Sequence, residues 1–320
     1  MSMESEMMSD TDLRARFLEP ETRDGHYVSA ETKKIWKCEL DILEEILRIC
    51  KKHNLQIFMA GGSLIGAVRH KGFVPWDDDI DVDMPRADYN RFLEVAQSEL
   101  PSHYFLRTQL TDSGFLEVMA KVCDRRTSAI RVDYTKDLIV SHMGIFVDIF
   151  PLDALPKCVD ETKKRFRMVR FLAMIRRRSV VRRLRCWRDF AKLLLAKSLT
   201  ALVGRKRLFK MQETLYTGLP EEDGELVAEC PGAWHDEKLW RWILPKNALK
   251  DTLWVEFEYL KVPIPAGYDA ILTRQYGDWK TPVKGGALHD GLVKFDTSRS
   301  FKEVLVEQYG YKMTDFPKEW

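Results

Sequence analysis

The 320-residue chain is short of net charge, of closely spaced cysteines and of long apolar runs, and each shortage removes a class of protein. Its 51 Lys and Arg stand against 49 Asp and Glu, a formal net charge of +2. A protein that coats nucleic acid through bulk charge needs a large positive excess, so nucleic acid is not an expected partner. The six cysteines, Cys38, Cys50, Cys123, Cys158, Cys186 and Cys230, are never closer than twelve positions. That spacing excludes a C-x-x-C redox or zinc pair and fits reduced thiols in a cytoplasm. No stretch of 18 residues is uninterruptedly apolar. The nearest approach, residues 193–203, is broken by Lys197, so no membrane-spanning helix is expected. Residues 1–12 are acidic and lack the apolar stretch of a secretory signal, and residues 1–25 are expected to be a flexible lead-in.

Common catalytic templates are missing too. Gly61 and Gly66 have the outer glycine spacing of a P-loop, but Ala67 and Val68 follow in place of its Lys and Ser/Thr. There is no G-x-G-x-x-G, H-E-x-x-H or G-x-S-x-G. The acidic run from Asp77 is not a calcium loop. Its sixth position is Val82, where the turn requires Gly, and its twelfth is Asp88 rather than Glu.

What is present is enough apolar material, 45% of residues, for a sizeable core. Trp36, Leu40, Leu43, Leu47 and Cys50 recur at spacings of three and four, which predicts a helix over residues 31–53. A short buried strand is expected at residues 56–60, then a short helix over 63–69 capped by Ser63. Alternation predicts a strand at residues 79–83, and Pro85 opens a helix to about residue 99. Further strands are expected at residues 104–107, 116–123 and 144–150, with Pro151 and Pro156 bracketing a loop. Late in the chain, residues 254–262 read as a strand, Pro263 and Pro265 as a turn, and residues 268–276 as a short helix.

The charge is unevenly placed. Residues 163–210 hold 18 Lys and Arg and one acid, Asp189, while the rest of the chain holds 33 bases and 48 acids. A basic helical segment is therefore set into an acidic body.

The acids concentrate in Asp77-Asp78-Asp79-Ile80-Asp81-Val82-Asp83. On an extended backbone Asp79 and Asp81 point to one side, with Cα atoms about 6.6 Å apart. Two such carboxylates suit one or two hard cations, while Ile80 and Val82 anchor the other face. Sixteen positions before Asp79, Gly61-Gly62-Ser63 joins a strand to a helix. Paired glycines and a helix start let backbone N–H groups approach a phosphate. Asp148, in Gly144-Ile145-Phe146-Val147-Asp148-Ile149-Phe150, is one carboxylate in an apolar strand. A buried charge there must pair with a cation or a metal.

The run from Ala60 through Gly61-Gly62-Ser63-Leu64-Ile65-Gly66-Ala67-Val68-Arg69-His70-Lys71-Gly72-Phe73-Val74-Pro75-Trp76-Asp77-Asp78-Asp79-Ile80-Asp81 to Val82 resembles the defining segment of the LicD family, which includes bacterial phosphocholine transferases and is related to fukutin and fukutin-related protein. Phe146 to Pro151, Val262-Pro263-Ile264-Pro265 and Tyr276-Gly277-Asp278-Trp279 resemble its later landmarks in the same order. The basic segment matches no landmark. The resemblance implies an α+β fold: a nucleotidyltransferase (polymerase beta-like) mixed-sheet core over residues 26–156, a basic helical insertion over 157–217, and a C-terminal lobe over 218–320 that completes the active site. It implies transfer of a phosphorylated alcohol, phosphocholine foremost, from a CDP-linked donor such as CDP-choline to a glycan hydroxyl, with release of CMP. CDP-ribitol and CDP-glycerol are alternative donors.

In that reading Asp79, Asp81 and Asp148 hold Mg²⁺ or Mn²⁺, and Gly61, Gly62 and Ser63 cradle the donor phosphates. Arg69 and Lys71 add positive charge, and His70, Asp77 and His289 are weaker candidates. The glycan acceptor is a cell-surface polysaccharide or its lipid-linked precursor. The basic helices are expected to dock the enzyme peripherally on the cytoplasmic membrane face, against anionic lipid. Three other readings stay open for these helices: packing on the core, grip on an anionic glycan, and nucleic-acid binding.

Overall fold

The computed structural model describes residues 10–112, 114–131, 141–155, 159–180, 187–217, 225–229, 241–284, 292–318 and 320. Helix α1 (Asp10–Phe17) leads into a hairpin of β1 (Glu21–Arg23) and β2 (His26–Val28). Helix α2 (Ala30–His53), strand β3 (Phe58–Met59), helix α3 (Gly61–Arg69), strand β4 (Ile80–Pro85) and helix α4 (Arg86–Glu99) follow. Next come strands β5 (Tyr104–Arg107), β6 (Ala120–Asp124), β7 (Ser128–Arg131) and β8 (Phe146–Ala154). The basic segment forms helices α5 (Val159–Val180), α6 (Trp187–Val203) and α7 (Arg205–Thr217). Strands β9 (Leu226–Glu229), β10 (Ile243–Pro245), β11 (Thr252–Phe257) and β12 (Leu260–Pro265), helix α8 (Tyr268–Tyr276), strand β13 (Val293–Asp296) and helix α9 (Phe301–Tyr309) complete these elements.

Among the described residues, seven strands form one mixed sheet organised around β8. β4 runs parallel to β8 on one side, with Asp81 opposite Asp148. On the other side β6 pairs antiparallel with the first half of β8 and β9 with the second half. This division explains why β8 continues through Pro151, where a loop is expected from sequence. The β6 ladder ends at Ile149 and the β9 ladder starts at Leu152, so the missing N–H of Pro151 falls at the handover between partners.

Helix α2 is the main buttress of the sheet. Ser29 caps it, accepting from the Thr32 N–H at 3.1 Å, and Asn54 ends it in the left-handed region at φ 53°. Its apolar stripe, Trp36, Leu40, Leu43 and Ile46 among it, is fully buried with Ile80, Val82 and Ile149 of the sheet. Each such side chain contributes roughly 1.5–3 kcal/mol on burial. Trp36 stacks on Phe73 at 4.4 Å, and its Nε1 donates to the Asp77 carbonyl at 3.0 Å. The helix thus grips the acidic loop from below.

Two local expectations are corrected. Helix α3 begins at Gly61 with Ala60 at its N-cap, so Ser63 lies inside the helix and caps nothing. Within residues 10–28 the chain forms α1 and the β1–β2 hairpin, and here Arg23 pairs with Glu258 at 2.8 Å and Arg14 with Glu44 at 2.8 Å. Pro263 and Pro265 belong to β12, not to a turn. The turn is at Glu258 and Tyr259, where Glu258 takes φ 54°, and a two-stranded ladder needs donors on only one side of β12.

Candidate active site

The site forms where the start of α3 meets the start of β4. The Ser63 hydroxyl accepts from the Asp81 N–H at 2.9 Å and donates to the Asp79 carbonyl at 3.5 Å. Ser63 is buried, so its hydroxyl is committed to locking α3 onto β4. The two glycines permit this closeness. A Cβ on Gly62 would lie 2.4 Å from Oδ2 of Asp77, and one on Gly61 would lie 3.1 Å from Oδ2 of Asp81 and 3.7 Å from the Tyr276 hydroxyl. Gly61 also sits at φ 51°, where a side chain is strained.

The carboxylates crowd. Asp77, Asp78 and Asp79 each bring an oxygen within 4.8 Å of the others. Burial, then Asp79 and Asp78, push the Asp77 carboxyl well above the usual range. Burial, then Asp79, Asp148 and Asp77, do the same to Asp81. Such oxygen-only donors, paying mutual repulsion, have the chemistry of a hard divalent-cation site. The residues present therefore fit Mg²⁺ or Mn²⁺. Among the described residues the tightest group is Asp77–Asp78–Asp79, while Asp81 and Asp148, expected from sequence to join Asp79, face each other across β4 and β8.

Asp148 has a different immediate partner. Lys121 faces it across β6 and β8, with Nζ 2.6 Å from Oδ1 and 2.8 Å from Oδ2. The same ammonium lies 3.5 Å from the centroid of the Phe146 ring, a cation–π contact. The buried carboxylate in an apolar strand thus meets a lysine cation.

Several residues of the site escape a reading of the sequence. Glu39 of α2 is buried, and its Oε2 has no hydrogen-bond partner. Burial, then the charges of Asp79, Asp78 and Asp77, push its carboxyl well up. A glutamate three positions after Trp36 on the apolar stripe of α2 is a visible signal of this. Asp83 and Glu229 form a second buried carboxyl pair one step along β4. Burial raises Glu229 to about 7, and burial with the charge of Glu229 raises Asp83. Tyr276, at the end of α8, brings its hydroxyl to Gly61. Burial, then Glu229 and Asp81, raise it. Nothing local in the sequence marks Lys121, Glu229 or Tyr276.

Other candidates lie apart from the cluster. Arg69, His70 and Lys71 are at the opposite end of α3 from Gly61, about 12 Å away at 1.5 Å per residue. Arg69 donates to the Trp279 carbonyl at 2.6 Å and to His70 Nε2 at 2.9 Å. His70 Nδ1 lies 3.1 Å from Asp24, and burial, then Arg69, hold its imidazole below the usual range. Lys71 is exposed and pairs with Glu256 at 3.1 Å. These three tie α3 to the C-terminal region and the β1–β2 hairpin. His289 lies outside the described residues.

A mixed sheet that presents clustered carboxylates beside a glycine-opened helix start is a site suited to phosphoryl chemistry. Comparison with known proteins gives it a family. The family described as LicD/FKTN/FKRP, nucleotidyltransferase domain, matches residues 54–179, a span that includes α3, the acidic run, Lys121 and Asp148. The lipopolysaccharide cholinephosphotransferase LicD of Haemophilus influenzae is 30% identical over 250 residues, covering 75% of this chain and 88% of that protein. An uncharacterized protein of Rickettsia typhi is 32% identical over 54 residues, 17% of this chain and 18% of its own length. The chain belongs to the LicD family and is an enzyme of the LicD phosphotransferase type.

Proposed function

We propose that the protein transfers phosphocholine from a CDP-linked donor to a hydroxyl of a cell-surface glycan or its lipid-linked precursor. In this reading the sheet is a nucleotidyltransferase (polymerase beta-like) core. The acceptor oxygen attacks the phosphorus that bears choline. The bond from that phosphorus to the bridging oxygen breaks, CMP leaves with the electron pair, and the hydroxyl proton passes to a carboxylate of the site. The product is a phosphodiester.

The observation that carries the proposal is that the carboxylates of Asp77 and Asp81 lie against Gly62 and Gly61 at the start of α3, with Asp78 and Asp79 clustered beside Asp77. Asp79 and Asp81, with Asp77 beside them, would hold Mg²⁺ or Mn²⁺, which when bound neutralises pyrophosphate charge and polarises the transferred group. The opening N–H groups of α3 have no acceptor within the helix and suit a donor phosphate. Ser63 positions both elements, and Lys121 supplies a cation next to Asp148. Phosphocholine and a glycan acceptor are favoured by the likeness to the Haemophilus transferase.

The test is CMP release with CDP-choline, CDP-ribitol or CDP-glycerol, in Mg²⁺ and a glycan-containing extract. Release that requires CDP-choline, the cation and the extract is expected. Release with CDP-ribitol or CDP-glycerol alone would keep the chemistry and change the donor. Release from none of the three, under conditions where the protein is folded, would refute the reading.

A further inference from the structure

Among its described side chains, helix α6 is partnered on one side. Ala196 packs into a small core with Leu172 and Ile175 of α5 and Leu208 of α7, with Leu199 and Val203 against it, and Leu193 is buried. At 100° per residue, Phe190, Leu194, Leu195 and Leu202 fall on the other side, and they are 51%, 50%, 54% and 84% exposed. Among the described side chains, those between them on that side are Ala191, Ser198 and Ala201, all exposed, and the exposed Lys197 borders the face. A solvated helix face is ordinarily charged, and large contiguous apolar patches mark interaction sites.

The surroundings specify what the face meets. Residues 163–210 carry 18 Lys and Arg against one acid. Lys163, Lys164 and Arg167 on α5 are exposed, as are Arg205, Lys206 and Arg207, which open α7 just beyond Leu202. We propose that the outer face of α6 inserts into the interface of an anionic lipid bilayer, with the basic residues of α5 and α7 on the headgroups. Among the described residues no helix is long and apolar enough to cross a membrane, so α6 would lie in the surface. A second copy is a poorer occupant, since two such basic segments would repel each other. A nucleic acid would engage the bases and leave the apolar face unexplained.

The structure also removes residues from this surface. Leu172 and Ile175 are core residues of the bundle. Arg176 is buried, bonded to Gln212 and to the Leu116 carbonyl, with its guanidinium 5.3 Å from the Phe209 ring centroid. Arg176 therefore fastens the bundle to the catalytic core and does not meet lipid.

The inference rests on the surface alone and not on the transfer reaction, so its test does not use CMP release. The full chain is sedimented with vesicles of phosphatidylcholine, and with vesicles containing roughly one-third phosphatidylglycerol, at low salt and at about 0.5 M salt. Binding at least about tenfold stronger to the anionic vesicles, weakened by salt, is expected. Leu194→Glu with Leu195→Glu should lower that binding about tenfold or more, and Leu110→Glu, a substitution at an exposed leucine of the catalytic core, should not. Leu202→Glu, at the most exposed position, gives a second variant that should fold even if the double variant does not. Equal binding to both vesicles, no binding, or full binding by Leu202→Glu and by the folded double variant would overturn the proposal. Dimerisation lost in these variants, without vesicle binding by the parent chain, would assign the face to a second copy instead.

Discussion

Lys121 and Asp148 face each other across β6 and β8, with the ammonium within 2.8 Å of both carboxylate oxygens and both side chains nearly buried. Opposite Asp148 on the neighbouring β4, Asp81 has no such cation among the described residues, and burial with the charges of Asp79 and Asp148 raises its carboxyl. This asymmetry sets the first expectation. Lys121→Met leaves a buried carboxylate uncompensated and should cost about 3 kcal/mol of stability in denaturant titration without divalent cation. Adding Asp148→Asn should recover most of that loss. A single variant as stable as the parent would deny the pair its structural part.

Asp79→Asn and Asp81→Asn should each lower CMP release about a thousandfold or more, several kcal/mol of transition-state stabilisation, while the protein stays folded. Without divalent cation, Asp81→Asn should melt higher than the parent, because it removes a charge that burial and its neighbours disfavour. Mg²⁺ should raise the melting temperature of the parent and much less that of the variant. A shift of equal size in both would separate Asp81 from the cation.

Gly62→Ala should abolish most turnover at little cost in stability. The new Cβ would meet Oδ2 of Asp77, the far end of a flexible side chain that can swing away and leave the cluster. A stability change under about 1 kcal/mol with at least about a hundredfold loss of turnover is expected. Retained turnover would show that the position of Asp77 does not matter.

Lys71→Ala should keep near-parental turnover. Its ammonium is exposed, pairs with Glu256, and lies at the far end of α3 from Gly61. A surface pair of this kind contributes about 0.5 kcal/mol. A large fall in turnover would restore the sequence-based assignment of Lys71 to the donor phosphates.

Glu229 is raised in the fold from its ordinary 4.5 to about 7, so folding favours its protonated form. That contribution to stability is present below 4.5 and is lost as pH rises through about 7. Glu229→Gln should therefore flatten the fall in melting temperature between these limits and raise it above them, measured without divalent cation. A profile identical to the parent would remove Glu229 from the titration.

Much of the frame was legible in the chain. The stripe from Trp36 to Cys50 marks α2, the alternation at Ile80, Asp81, Val82 and Asp83 marks β4, and residues 268–276 read directly as α8. These signals are local, because burial of one helix face or one strand face imposes its own period. Less legible were elements whose limits depend on distant partners. β8 outruns Pro151 because its neighbour changes there, and β12 accommodates Pro263 and Pro265 because among the described residues it pairs with β11 alone.

The candidate site divides in the same way. Gly61-Gly62 and the acidic run are adjacent enough in sequence for their chemistry to be read from residue type and spacing. The family followed from those same residues. The sequence also placed Ser63, Arg69, His70 and Lys71 beside them, since proximity along the chain was the only distance available. Folding separated that group, because α3 rises about 1.5 Å per residue and carries Arg69 to its far end. It turned the hydroxyl of Ser63 onto the β4 backbone. It also brought in Glu39, Lys121, Glu229 and Tyr276 from four other elements, which no spacing rule connects. A one-dimensional pattern reports the period of an element and the chemistry of its residues. Which buried charge meets which is decided by strand order and register, and here β4 lies parallel to β8 with β6 against its other edge.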